Sequence, residues 1–334
     1  MNLWKLRLSM VATLALIFGL STGVLALILT LVGTFDIFTI VAIVVVFNIV
    51  QWLFAPHMVG AIYRVREMKA NENPHLHEIV SDLSRKSNIS TPKLMLAQIP
   101  LPNAFAYGSP LTGSRIAVTQ GLLSNLNEGE VEAVIGHELG HLKHRDVQTM
   151  MVVSFLPALF YFLGYSLLLS GMFGGGRRSG GGGDNGSAAL IGIAFMAFSQ
   201  ILTLFTLNMS RLREYYADRH SVSIVDNGAQ KLSTGLAKIV HASGRMSKPR
   251  QQQQNNQQTF NAYKALFIAD PDRAKEDSAA VHAFESAGSN QKLVDDILAK
   301  KLTFSDKLVE VFSTHPNIVK RLRALQDLSN NPRA

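Results

Sequence analysis

The chain has 334 residues, 47% of them hydrophobic, with a positive mean hydropathy; this is high for a soluble enzyme and makes a membrane the first environment to consider. It has no cysteine, which excludes disulfides and every thiolate-based zinc site, so any metal must be held by imidazole and carboxylate. The net charge of +8 calls for no nucleic-acid partner, because basic residues flank the apolar stretches where anionic lipid would lie.

Four uncharged stretches, Leu8–Phe35, Ile37–Pro56, Val147–Gly176 and Asn185–Ser210, each supply the ~20 residues that a helix needs to cross a hydrocarbon core. The first follows Lys5 and Arg7 and is read as a retained anchor, since its apolar run is longer than a secretory signal requires. Charge bias predicts the orientation. Lys5, Arg7, Arg64, Arg66, Lys69, Lys143, Arg145, Arg211 and Arg213 fall on one side, Arg177 and Arg178 on the other, so both termini are expected in the cytoplasm.

These spans divide the chain into a transmembrane hairpin (residues 1–56), a first cytoplasmic part (57–146), a second hairpin (147–210) and a second cytoplasmic part (211–334). In the first cytoplasmic part, Asn73–Asn88 has the pattern of an amphipathic helix, and Pro92–Gln98 and Arg115–Thr119 read as short strands. A further helix is expected from about Asn127, where Asn127 and Glu130 have capping-box spacing. Gly174–Gly186 and Gln251–Gln258 read as polar, flexible segments without chemistry of their own. The tail Gln291–Leu328 is helical by pattern, with a break before Ser313-Thr314-His315-Pro316.

The helix that starts near Asn127 carries IGHELGHLKHRD (Ile135–Asp146). Residues four apart share a helix face, so His137 and His141 can present two imidazole nitrogens to one metal. Glu138 lies about a quarter turn round, placed to take a proton from water polarised by that metal rather than to bind it. A third ligand is needed. A histidine six residues past His141 is excluded, because that position is Val147; His144 shares the face but lies in the basic run Lys143–Arg145.

The better candidate is Glu214, in RLREYYADRH (Arg211–His220) directly after the fourth span, because an intervening membrane hairpin would return the chain to the side it left. Glu214 could instead pair with Arg211 or Arg213. Asp146 is the competing carboxylate, five residues past His141 and rotated away from the two-histidine face, so it is assigned a supporting place behind the ligands and not among them. Only about 9 Å of helical rise separates His141 from Val147, which would set the metal near the lipid surface.

Four spans, HELGH before the third, EYYAD after the fourth, NAFAYG before the metal helix and STHP near the end together resemble the HtpX-type membrane zinc metalloproteases, relatives of the CAAX prenyl endopeptidases. The resemblance implies a mainly α, polytopic membrane protein: four transmembrane helices plus a cytoplasmic zincin-like α+β metalloprotease domain with a small β-sheet. It implies one zinc ion on His137, His141 and Glu214, with Glu138 as general base and Asp218 holding a ligand histidine or an arginine. His315 would hydrogen-bond the scissile carbonyl, Arg321 would pair with Asp218, and Asn103, Ala104, Phe105 and Ala106 would form the edge strand along which an extended substrate adds.

The expected protein is therefore an endopeptidase of the cytoplasmic (inner) membrane, its active site facing the cytoplasm, acting on peptides or on damaged membrane proteins. A rival enzyme is a prenyl-protein or signal-peptide processing protease; a rival outside enzymes is a membrane scaffold with a structural metal, for which Glu138 would have no use. Natural substrates and oligomeric state are left open by the sequence.

Overall fold

A computed structural model describes residues 37–173, 185–246 and 290–330. The first predicted span, the glycine-rich stretch through residue 184 and the glutamine-rich segment Gln251–Gln258 lie outside the described residues. Contacts divide the chain into two units: one comprises the residues up to Gln51 together with Gln148–Asn208, the other Trp52–Val147 together with Met209–Ala334.

In the first unit and at its borders run three apolar helices, α1 (Ile37–Ile62), α5 (Asp146–Phe173) and α6 (Asn185–Ile224). Among the described residues two stretches are long and apolar enough to cross a membrane, Asp146–Met172 and Ser187–Ile224; four spans remain an expectation. Helix α6 continues for 40 residues, so the apolar run and the charged RLREYYADRH stretch share one uninterrupted helix.

The second unit is built on a four-stranded sheet of β1 (Val65–Glu67), β2 (Lys93–Ala97), β3 (Ala104–Ser109) and β4 (Gly113–Thr119), in the order β1-β2-β4-β3. Strand β2 pairs with β4 in parallel; β1 and β3 are antiparallel to their neighbours. Alternation along β2 sorts its side chains. Leu94 and Leu96 join Ile116 and Val118 in a core with α2 (Pro74–Ser87) and α4 (Glu128–Lys143), whereas Met95 and Ala97 join Phe105, Tyr107 and Tyr63 on the other face. The remaining helices are α3 (Gln120–Asn125), α7 (Gly228–Met246), α8 (Asn290–Ala299), α9 (Phe304–Val311) and α10 (Ile318–Asn330).

Helix α2 begins at the N-cap Asn73, whose side chain accepts from Leu76 N, and ends at Asn88 in the left-handed conformation. Helix α4 begins with a complete capping box: Glu130 N donates to Asn127, and Asn127 N donates to the Glu130 carboxylate. Four residues apart on α4, Gly136 and Gly140 face the charged end of α6. A Cβ on Gly140 would lie 2.9 Å from Ala217 Cα, and one on Gly136 would lie 3.1 Å from Ser221 Oγ. The missing side chains let two backbones meet, and Ser221 Oγ donates to Ala133 O at 2.6 Å to fix their register. This close approach brings the two halves of the site together.

Candidate metal centre

Helix α4 places His137 and His141 one turn apart, and α6 places Glu214 and Asp218 one turn apart; the close helix packing sets these two pairs face to face. One ligand atom from each of His137, His141 and Glu214 lies within 4.8 Å of the others. The two Nε2 atoms are 3.2 Å apart, and Glu214 oxygens lie 3.6 Å from that of His137 and 3.4 Å from that of His141.

The far nitrogen of each ring meets a carboxylate. His137 Nδ1 is 2.8 Å from Asp218 Oδ1, and His141 Nδ1 is 2.5 Å from Asp146 Oδ2. Because a carboxylate only accepts, this network assigns the proton of each neutral ring to Nδ1 and leaves each Nε2 with a lone pair. Two lone pairs and a carboxylate thus converge on one point. Such acceptors repel one another unless a cation lies among them, so this donor set fits a divalent metal. Burial disfavours a charged His141, yet the carboxylates of Glu214 and Glu138 outweigh it and raise the His141 pKa, a mark of how strongly this pocket attracts positive charge.

Arg321, from α10, is 1% exposed and braces this centre. Its Nε donates to Asp218 Oδ2 at 2.9 Å, its Nη2 to Asp218 Oδ1 at 2.5 Å, and its Nη1 lies 3.1 Å from Glu214 Oε2. Burial opposes its charge, but Asp218 and Glu214 more than offset this and raise its pKa. His315, in the turn before α10, brings its Nδ1 to 3.4 Å from Glu214 Oε2. The HELGH and STHP motifs therefore meet at one carboxylate.

Glu138 is 3% exposed, and its Oε2 accepts from the Ala106 backbone N–H at 2.7 Å. Ala106 lies on β3, the sheet edge. Because Thr119 N donates to Asn103 O at 3.0 Å, alternation turns the backbone groups of Ala104, Ala106 and Gly108 away from β4; Ala104 is fully buried there, whereas Ala106 and Gly108 are half-buried. The groups of Asn103 itself are taken: its N–H donates to Thr119 Oγ1, and its side chain is buried. Phe105 packs against Tyr63 and Tyr107 on the opposite face of the sheet. Of the four residues expected to meet substrate, the structure thus leaves Ala106 half-buried beside Glu138, buries Ala104 with its backbone turned away from β4, and commits Asn103 and the Phe105 ring to the interior.

Two contacts escaped the sequence reading, and the expected supporting place of Asp146 is reached by a route that the helical wheel does not show. Arg213, weighed as a partner for Glu214, instead pairs with Asp146 Oδ1. Asp146, expected to be rotated away from the ligands, reaches His141 because α4 stops at Lys143 and Arg145 takes a left-handed conformation (φ 54°), which swings the chain back; the left-handed turn spoils the helical-wheel argument. The Ala106–Glu138 bond had no local signal. His144 is exposed, with Nδ1 on Gly140 O, and stands apart from the ligand group.

A buried and a half-buried imidazole facing a buried carboxylate, with an adjacent glutamate tied to the edge strand of the sheet, define a metalloendopeptidase. The chain belongs to peptidase family M48, whose model matches residues 70–329. It is similar to the Protease HtpX homolog of Thermoplasma acidophilum (37% identical over 312 residues, 93% of this chain and 88% of the relative). It is likewise similar to that of Picrophilus torridus (35% over 338 residues, 99% of this chain and 100% of the relative). Among solved structures, S. mikatae Ste24p shares the fold with a TM-score of 0.56 at 16% identity, over 97% of this chain and 66% of that one.

Proposed function

We propose that this chain is a zinc-dependent integral-membrane endopeptidase that hydrolyses misfolded or damaged membrane proteins at the cytoplasmic face of the inner membrane. The observation that supports this reading is the bond from Ala106 N–H to Glu138 Oε2, which holds the proposed general base between the edge strand β3 and the His137, His141 and Glu214 cluster. Two imidazoles with a carboxylate suit zinc among common divalent ions.

His137, His141 and Glu214 would hold the ion, with Asp218 and Asp146 fixing the ring tautomers. When bound, zinc supplies a Lewis acid that polarises the scissile carbonyl and acidifies water. Glu138 takes the proton from the attacking water and passes it to the departing amine. The Ala106 carbonyl and the backbone of Gly108, half-buried on the side of β3 turned away from β4, would align an extended substrate without reading its side chains, which suits a broad clientele. His315 brings its Nδ1 to 3.4 Å from Glu214 Oε2, and only with both ring nitrogens protonated would it face that carboxylate and also donate from Nε2 to the carbonyl oxygen as negative charge develops there.

Detergent-purified protein is expected to cleave casein, to stop on chelation and to recover with zinc. Glu214→Gln is expected to lose most of its metal, whereas Asp146→Asn retains zinc with reduced activity, because Asp146 orients a ligand and does not supply one. Zinc kept by the first variant and lost by the second would overturn the ligand assignment; cleavage confined to a prenylated or signal-peptide substrate would favour the processing reading.

The proposed orientation rests on the asymmetry of Lys and Arg at the span ends. Because the chain has no cysteine, a single cysteine placed in Gly174–Gly186 is expected to react with a membrane-impermeant thiol reagent in intact cells, and one placed in Gln251–Gln258 is not. The reverse labelling pattern would put the site on the other side of the membrane.

A further inference from the structure

Helix α9 is inside out. Its acidic residues Asp306 and Glu310 are buried, whereas Phe304, Leu308, Val311 and the C-cap Phe312 are 74%, 48%, 38% and 46% exposed. At 100° per residue these four fall within about a third of the helix circumference, so they form a single apolar face. The buried carboxylates explain why that face cannot simply turn inward. Asp306 accepts from Thr303 N to close the capping box, and Glu310 accepts from Asn317 N and from Lys320 Nζ. The helix is thus held with its apolar face outward.

Two observations say what covers it. Arg211 is the first charged residue after the apolar run of α6, and its Nη1 donates to Glu310 O, Val311 O and Ser313 O at 2.7, 3.0 and 2.8 Å. These are the carbonyls at the C-terminal end of α9, so the helix is bolted to the residue at which the apolar run gives way to charge. Beside the face stand the exposed cations Lys301 and Lys307, as expected of a helix lying on anionic lipid.

We propose that α9 docks on the surface of an anionic lipid bilayer, with Phe304, Leu308, Val311 and Phe312 entering the boundary between headgroups and acyl chains. This inference rests on the membrane reading above. It also ties the bilayer to the site: Phe312 stands three residues before His315, whose N–H donates to Ser313 Oγ at 3.2 Å while Ser313 O accepts from Arg211.

The test uses the full chain in vesicles of phosphatidylglycerol and phosphatidylcholine, with one nitroxide-labelled cysteine at a time: Leu308→Cys on α9, Ile201→Cys in the apolar run of α6 and Ser124→Cys on an exposed polar site. Collision with oxygen, which concentrates in lipid, is compared with collision with a water-soluble nickel chelate. The expected result is an oxygen-to-nickel ratio several-fold higher at positions 308 and 201 than at 124. The value at 308 should fall when Lys301 and Lys307 are both changed to Gln. A water-like ratio at 308 with a lipid-like ratio at 201 would overturn the docking alone, whereas a water-like ratio at both would remove the membrane reading beneath it. A label at 308 shielded from both reagents and freed on raising the lipid-to-protein ratio would replace the bilayer with a second copy of this chain.

Discussion

Glu138→Gln is expected to lower peptide hydrolysis by roughly 10²–10⁴-fold or more while leaving metal content and folding near those of the parent chain. The amide oxygen can still accept from Ala106 N–H, so the tie between α4 and the edge of β3 survives the change. What is lost is the ability to take a proton. Metal analysis and a casein assay on the same sample separate the two effects, and full activity with metal bound would falsify the assignment of Glu138 as general base. The scaffold alternative makes the opposite forecast, since a structural site is indifferent to a neighbouring carboxylate that does not bind the ion.

Arg321→Met should have the largest effect on stability. The parent guanidinium is buried between Asp218 and Glu214, and its removal leaves two carboxylates in the interior with one neutralising partner fewer. Breaking a buried pair in this way costs about 3–5 kcal/mol. The thermal midpoint of the detergent-solubilised, metal-free protein should fall by several degrees, and zinc should recover part of the loss because a second cation then faces Glu214. Arg321→Lys restores the charge but not the two parallel bonds to Asp218, so it should fall between the two. An unchanged midpoint in the metal-free Met variant would mean that Arg321 is not the brace its geometry indicates.

The sequence by itself determined what depends on near neighbours along the chain. Helical periodicity puts His137 and His141 on one face, the Asn127–Glu130 spacing closes as a capping box, and the short run RIAVT, set off by turn residues, forms a buried strand. Each follows from bond geometry within a few residues, so no partner from elsewhere is needed to read it. The same local logic failed where local geometry changes: Asp146 lies off the ligand face only if the helix continues, and the left-handed Arg145 ends it.

Only the tertiary structure decided how α4, β3, α6 and α10 meet. It alone gave Glu138 its tie to Ala106, paired Arg213 with Asp146 instead of Glu214, and turned the groups of Asn103 inward while those of Ala104 and Ala106 point away from β4. It also set the apolar side of α9 outward, which its amphipathic pattern alone would have assigned to the core. The physical reason is common to all of these. A periodic pattern shows that a helix or strand has an apolar side and a polar side, but which side is buried, and against what, depends on long-range contacts such as the approach at Gly140 and the buried charge of Arg321.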